Sequence, residues 1–116
     1  MALDRTKTDP ILGKVVHESL MEIGVETPMV EDSLFKDKHS DIAKSVSDIM
    51  TTLGLDLSDD SLAETPKRIA KMYIDEIFWG LDYSNFPKIT TIDNKMQYNN
   101  MLLERHIKVN STCEHH

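Results

Sequence analysis

Apolar residues recur at helical spacing near the N-terminus, in a segment that opens with Asp9-Pro10 and stops at Gly24. Aspartate is a favourable N-cap, proline suits the first position of a helix, and glycine suits the residue just beyond its end. We therefore predict a first helix over residues 10–23, whose apolar stripe docks on another part of the fold or on another subunit. The stripe consists of Ile11, Leu12, Val15, Val16, Leu20 and Ile23. His17, in the same helix, is expected at its surface or rim rather than as a metal ligand.

Two further helices are indicated after a linker, residues 25–38, in which Pro, Asp, Glu and Lys interrupt the apolar period. Ser40 can cap the second helix, which Gly54 ends. The third is predicted to run from Pro66 to about Trp79. Because their connector has only about ten residues, the two helices should pack as neighbours. Their apolar faces are Ile42, Val46, Ile49, Met50 and Leu53 in the second helix, and Ile69, Met72, Tyr73, Ile77 and Phe78 in the third.

Apolar and polar residues alternate over residues 101–111, imperfectly at first and more regularly from Ile107 onward. This alternation predicts a half-buried β-strand. A single strand cannot cover itself, so its partners must come from outside this segment.

Composition narrows the possible functions. The 116 residues carry 13 basic and 20 acidic side chains, a formal charge of −7. An acidic surface argues against nucleic acid or an anionic membrane as the main partner, although a local basic cluster can still hold a small anion. A single cysteine fits a reducing compartment, and no apolar run approaches the roughly 20 residues of a membrane span. We therefore expect a soluble cytoplasmic protein.

The polar face of the third helix holds the one locally basic patch of the sequence, formed by Lys67, Arg68 and Lys71. The N-terminus of a helix adds partial positive charge there, so the patch is a candidate phosphate site. The alternative is a solvated face whose cations pair with neighbouring acids, which is the more usual role of such a run.

The segment Cys113-Glu114-His115-His116 places a thiol, a carboxylate and two imidazoles side by side. Cysteine and histidine three residues apart suit Zn²⁺, which takes three protein ligands plus water, or four. Two such ligands are too few, so either others come from elsewhere or the chain is a fragment. Two more interpretations stay open at this point: Cys113 as a small buried residue, and the last three residues as the remainder of an expression tag.

Three stretches, taken together, resemble GTP cyclohydrolase I. They are Glu64-Thr65-Pro66-Lys67-Arg68-Ile69-Ala70-Lys71-Met72-Tyr73, then Asp82-Tyr83 through Phe86-Pro87-Lys88, then Asn100-Met101-Leu102 with Arg105, Ile107, Ser111-Thr112 and the Cys-Glu-His-His block. The resemblance is dense from about Ile42 to His116, and it removes the expression-tag interpretation. His106 departs from the family pattern, in which an acidic or amide residue is expected.

The resemblance implies an enzyme that converts GTP and water to 7,8-dihydroneopterin triphosphate and formate, the first step of tetrahydrofolate and pterin biosynthesis. Cys113 and His116 would bind Zn²⁺ together with a cysteine beyond this chain, and the metal would activate water at neutral pH. His115 would give and take protons at the purine. Arg68 and Lys71 would contact the triphosphate from a neighbouring subunit.

Spacing adds a geometric expectation to the implied metal site. On a continuing strand Cys113 and His115 share one face and His116 points away. Binding of one metal by Cys113 and His116 therefore requires the strand to end by Thr112 or Cys113. Glu114 is left as a structural residue or as a group that orients a histidine.

The implied fold is α+β, the tunnelling fold (T-fold). In it, N-terminal helices pack on an antiparallel β-sheet completed by other subunits, within decamers of two pentameric rings. The chain would comprise an N-terminal helical arm and linker (1–38), a helical pair (39–81) and the start of the antiparallel-sheet catalytic domain (82–116). It would correspond to the N-terminal half of the enzyme, inactive in isolation. The alternative is a helical interaction or regulatory module with an incomplete metal site.

Overall fold

The computed structural model describes residues 3–30 and 37–113, and the regular elements in these ranges are all helical. Three α-helices carry the fold: α1 (Pro10–Ile23), α2 (Lys38–Thr52) and α3 (Thr65–Met72). A π-helical turn, Tyr73–Ile77, continues α3, and single 3₁₀ turns cover Arg5–Lys7, Trp79–Leu81 and Tyr83–Asn85. Within the described ranges, β pairing is limited to one isolated antiparallel bridge between Thr8 and Pro87.

Helix α1 has the bounds that the sequence predicts. One carboxylate oxygen of Asp9 accepts hydrogen bonds from the backbone N–H groups of Ile11, at 3.1 Å, and Leu12, at 3.0 Å. These bonds satisfy two of the donors that a helix start leaves without intrahelical partners. At the other end Gly24 adopts φ +69°, a left-handed conformation that glycine takes without strain.

Helix α2 begins at Lys38, earlier than predicted, so Ser40 is not its cap. Asp37 is the N-cap, and its carboxylate accepts a hydrogen bond from the Ser40 N–H at 3.2 Å. A carboxylate caps as well as a hydroxyl, and the earlier start adds backbone hydrogen bonds to the helix. The end of the helix agrees with the prediction, because Gly54 follows it at φ +84°.

Helices α2 and α3 pack against each other, as their short connector predicts. Val46 and Met50 of α2 are each 7% exposed and Ala70 of α3 is 1% exposed, so these side chains form the core of the described residues. This pairing determines which face of α3 remains available to solvent.

The third helix does not run as one α-helix from Pro66 to Trp79. After Met72 the backbone widens, and the Phe78 N–H donates to the carbonyl of Tyr73, five residues earlier, at 2.8 Å. The rings of these two residues lie near each other, with centroids 5.9 Å apart. A hydrogen bond between residues five apart makes the turn wider than the 3.6 residues of an α-helix, so the following side chains leave the predicted apolar stripe. The predicted α-helix is therefore wrong beyond Met72.

The predicted strand over residues 101–111 is not formed. Leu102 and Leu103, which the alternation places on opposite faces, are 88% and 68% exposed. His106 has φ +62°, outside the extended region of backbone conformation. The physical reason is that no other described segment pairs with this one, and an unpaired strand leaves its N–H and C=O groups without partners.

The start of the chain docks α1 onto the segment that follows α3. The Asp9 N–H donates to the Phe86 carbonyl at 2.6 Å. Gly13 is buried where the backbone of Tyr83 passes so close that an added Cβ would lie 1.8 Å from its carbonyl oxygen. Only part of the predicted stripe is covered by this contact, since Ile11 remains 81% exposed.

His17, in the middle of α1, also contacts the segment that follows α3. Its ring stacks on that of Tyr83, with centroids 4.4 Å apart and an interplanar angle of 16°. Its Nε2 lies 3.4 Å from a carboxylate oxygen of Glu26. The side chain is 33% exposed, so His17 lies at the rim, as expected from the sequence.

The connector between α2 and α3 contains an aspartate whose ionised form the fold stabilises. The hydroxyl and the N–H of Ser58 donate to one oxygen of Asp56 at 2.6 and 2.9 Å, and these bonds hold the pKa of that carboxyl below the ordinary 3.8. Because its pKa is lowered in the folded state, ionised Asp56 adds to the free energy of unfolding. This stabilisation is fully present above the unfolded-state pKa of about 4 and is lost as the pH falls through the folded-state pKa.

We therefore expect Ser58→Ala to raise the pKa of Asp56 toward its ordinary value, measured by NMR titration of the carboxyl carbon. Asp59, whose pKa is lowered in the same way by Ser61, serves as the internal control and should not move. An Asp56 titration that is unchanged in the variant would show that the hydroxyl does not hold the carboxylate in solution.

Candidate functional site

The basic residues of α3 lie on the side of the helix that α2 leaves open. Pro66 and Ala70 are buried, whereas Lys67, Arg68 and Lys71 are all exposed. Residues three apart are neighbours on a helix surface, so Arg68 and Lys71 present their cations side by side. The position of this face follows directly from the packing of α2 on α3.

The three cations of this face differ in their ion pairing. Lys67 Nζ lies 3.3 Å from a carboxylate oxygen of Glu64, one turn earlier. Arg68 and Lys71 form no ion pair with any residue that the structure describes. The solvated-face interpretation therefore fits Lys67, while Arg68 and Lys71 are available to an external anion.

The segment that leads to Cys113 lies next to the turn that follows α3. Lys71 borders a shallow polar cavity together with Asp75 and Glu76. Glu76 also borders a second cavity, whose wall includes residues 109–112. The sequence pattern does not indicate that Glu76 borders both cavities, because the π-helical turn that positions it has no periodic signature.

Cys113 is exposed, so it is not the small buried residue that composition alone allows. Glu114, His115 and His116 lie outside the described residues, and the expected geometry of the Cys113–His116 pair stays a prediction. Among residues 3–30 and 37–113, no three His, Cys, Asp or Glu side chains are grouped in a way that could hold a metal ion. A complete metal site therefore needs ligands beyond these residues.

Both candidate regions lie within a match to a known protein family. The family described as GTP cyclohydrolase I matches residues 42–116, well over half of the chain. The chain belongs to the GTP cyclohydrolase I family. The resemblance predicted from three short stretches of sequence is thereby confirmed.

Curated relatives extend the family match toward the N-terminus. The GTP cyclohydrolase 1 of Pectobacterium carotovorum subsp. carotovorum (strain PC1) is 58% identical over 103 residues, which are 88% of this chain and 47% of the relative. That of Edwardsiella ictaluri (strain 93-146) is 55% identical with the same coverage. That of Shewanella baltica (strain OS185) is 55% identical over 102 residues, which are 87% of this chain and 47% of the relative. The chain thus spans about half the length of the curated GTP cyclohydrolases it matches.

The family match covers α2 from Ile42 onward, α3 and the rest of the sequence to residue 116, and it leaves α1 outside the matched range. No helix within the described residues combines the length and the apolar character that crossing a membrane requires.

Proposed function

We propose that this chain forms part of a GTP cyclohydrolase I, which hydrolyses GTP to 7,8-dihydroneopterin triphosphate and formate. The observation that carries the proposal is the 58% identity to a curated GTP cyclohydrolase 1 over 88% of this chain. The basic face of α3 and residues 113–116, the two regions with candidate chemistry, both lie inside the family match. We place the reaction in the cytoplasm, for which the single cysteine is the supporting feature.

In this proposal Cys113 and His116 are ligands of Zn²⁺. Thiolate sulfur and imidazole nitrogen are ligands that zinc prefers, and the exposed position of Cys113 makes its side chain accessible to an ion. The fit is partial, because the described residues contain no group of three ligands, and a further ligand must come from outside them. When bound, zinc would supply the activation of water for attack at neutral pH.

His115 is the proposed proton carrier of the same segment. Opening of the imidazole ring requires a proton at the purine nitrogen that leaves the attacked carbon, and loss of formate requires a second transfer. Imidazole gives and takes protons near neutral pH, which suits both transfers. Glu114, between the two ligands in sequence, is proposed only to orient a histidine through a hydrogen bond.

Arg68 and Lys71 are the proposed ligands of the triphosphate. A triphosphate carries about four negative charges, and an acidic protein must concentrate cations to hold it. Both side chains are exposed on one face of α3 and form no ion pair with a described residue, which supports this role. Carboxylates near Lys71, including Glu76, would limit the site to substrates that bring enough negative charge.

We expect Arg68→Ala to raise the KM for GTP about tenfold or more, with a much smaller change in kcat, because loss of one charged hydrogen bond costs about 1.5–3 kcal/mol of binding. Steady-state kinetics of formate release measure both constants. Lys67→Ala is the matched control, since it removes the adjacent cation, which already pairs with Glu64. Equal KM values for Arg68→Ala and Lys67→Ala would assign Arg68 to the solvated face instead.

The T-fold and the decamer of two pentameric rings are part of the same proposal. The described residues are helical or irregular, so the sheet would form when residues 101–111 pair with strands that these residues do not supply. Their exposed apolar side chains, such as Leu102 and Val109, support this pairing, as does the exposed Ile11 of α1. Under this proposal residues 82–116 open the catalytic domain, after the helical arm (1–38) and the helical pair (39–81).

Formate release from GTP by the complete enzyme that contains this chain, measured together with the oxidised fluorescent pterin, tests the activity. We expect the two products in equal amounts, because one ring carbon leaves in each turnover. The second candidate is a catalytically inactive helical interaction module, which the absence of a three-ligand group among the described residues favours. A zinc-loaded oligomer of that complete enzyme that releases no formate would support that module and contradict the cyclohydrolase proposal.

A further inference from the structure

A cavity of about 360 Å³ lies where the start of the chain, the first residues of α2 and the turns after α3 converge. Three aromatic rings, those of Tyr73, Phe78 and Trp79, line it together with the apolar side chain of Ile42. Cavities that bind small molecules typically have volumes of about 300–1,000 Å³ and mostly apolar walls with a few polar groups. This cavity has the size and the aromatic lining for one flat ring system.

Asn85 contributes a buried polar group to the wall of this cavity. The residue is 6% exposed, and its Nδ2 donates to the Trp79 carbonyl at 3.0 Å. Its Oδ1 accepts no hydrogen bond from any residue in the described ranges. Burial of an amide oxygen without a hydrogen-bond donor lowers the stability of the fold. A bound molecule that donates to Oδ1 would remove this cost, since the described residues supply no donor.

The charges around the cavity balance one another. Two cationic side chains, Arg5 and Lys38, and two carboxylates, Asp37 and Asp82, line it. His39 also lines the cavity, and its Nε2 lies 3.9 Å from a carboxylate oxygen of Asp75. With no excess of either sign, the cavity does not select an ion and suits a neutral molecule.

We propose that this cavity binds a neutral, planar heteroaromatic molecule whose ring N–H donates a hydrogen bond to Oδ1 of Asn85. The aromatic walls supply stacking surface, and the amide oxygen supplies the directional contact. The proposal does not rest on the cyclohydrolase function, because Arg68, Lys71 and Cys113 do not line the cavity. Its failure would leave that function untouched.

Indole and its isostere benzofuran, in which oxygen replaces the N–H group, test the proposal on the unmodified protein. Trp79 is the single tryptophan of the chain and lines the cavity, so its ring N–H gives one NMR signal that reports occupancy. We expect indole to bind at least about fivefold more tightly than benzofuran, the factor for one net hydrogen bond. Equal affinities would overturn the role of Asn85, and no shift of the Trp79 signal with either probe would show that water alone fills the cavity.

Asn85→Leu provides the complementary test in the protein. We expect it to weaken indole binding to the level of benzofuran and to leave benzofuran binding unchanged, because it removes the acceptor and keeps the volume. Asn99→Leu, the same substitution at an exposed position, should preserve the indole preference. An indole preference that persists in Asn85→Leu would overturn the proposal. If Asn85→Leu does not fold, the comparison of the two probes on the unmodified protein decides.

Discussion

Replacing Gly13 with alanine is expected to lower the free energy of unfolding by about 2 kcal/mol, because forcing extra atoms into a packed contact typically costs up to about 3 kcal/mol and the higher helix propensity of alanine offsets about 1 kcal/mol of that. The new Cβ would lie 1.8 Å from the Tyr83 carbonyl oxygen and 3.1 Å from the Phe86 Cβ, so the backbone of α1 or of the turn must move. Alanine is the better helix former by about 1 kcal/mol, yet the clash outweighs this gain because the atom it meets is backbone. Urea denaturation followed by circular dichroism measures the change.

Gly80→Ala is the matched control for this substitution. Nothing lies within 4 Å of a Cβ added at Gly80, so its effect on stability should be small. In the Gly13 variant we also expect the His17 ring signals to lose their stacking shift in NMR spectra, since α1 leaves Tyr83. A Gly13→Ala protein as stable as Gly80→Ala, with the His17 shifts intact, would contradict the close docking of α1.

Cys113→Ala is expected to remove stoichiometric zinc and to reduce formate release from GTP by well over a hundredfold. Substitutions of groups that only support a metal ligand cost about 10–100-fold, and loss of a ligand itself should cost more. The measurements are zinc content by atomic absorption and formate release by the assembled oligomer. The expectation rests on the proposed function and on Cys113 being a ligand.

Ser111→Ala is the control for Cys113→Ala, because it alters a neighbouring exposed side chain that zinc does not prefer. It should retain both zinc and activity. Full zinc content in Cys113→Ala would exclude the cysteine as a ligand, even if activity were lost. Full activity without zinc would overturn the metal-dependent chemistry altogether.

The helical half of the fold could be predicted because its signals are local. The Asp9 carboxylate acts on N–H groups two and three residues away, and Gly24 ends α1 by its own backbone conformation. Such contacts join residues that are close in sequence, so they can be predicted without knowing the rest of the fold. The start of α2 was misplaced for the same local reason, since both Asp37 and Ser40 are competent caps.

The residue types of the candidate site were also predictable, but their relative positions were not. The spacing of Arg68 and Lys71 places them on one helix face wherever that helix lies. Whether Lys71 shares its surroundings with Glu76 depends on a π-helical turn that no sequence period reveals. Asn85 lies in a stretch of ordinary turn residues, and its burial arises only because three distant segments meet there.

By itself the sequence determined the extent of α1, the neighbouring pair α2 and α3, the family, and the donor atoms offered near residue 113. Capping, apolar periodicity and ligand chemistry operate within a few residues, so they can be read along the chain. Only the tertiary structure decided that Gly13 lies against Tyr83, that α3 widens after Met72 and that residues 101–111 stay irregular. Those outcomes depend on which distant backbone groups come within reach as partners, and no local pattern encodes that availability.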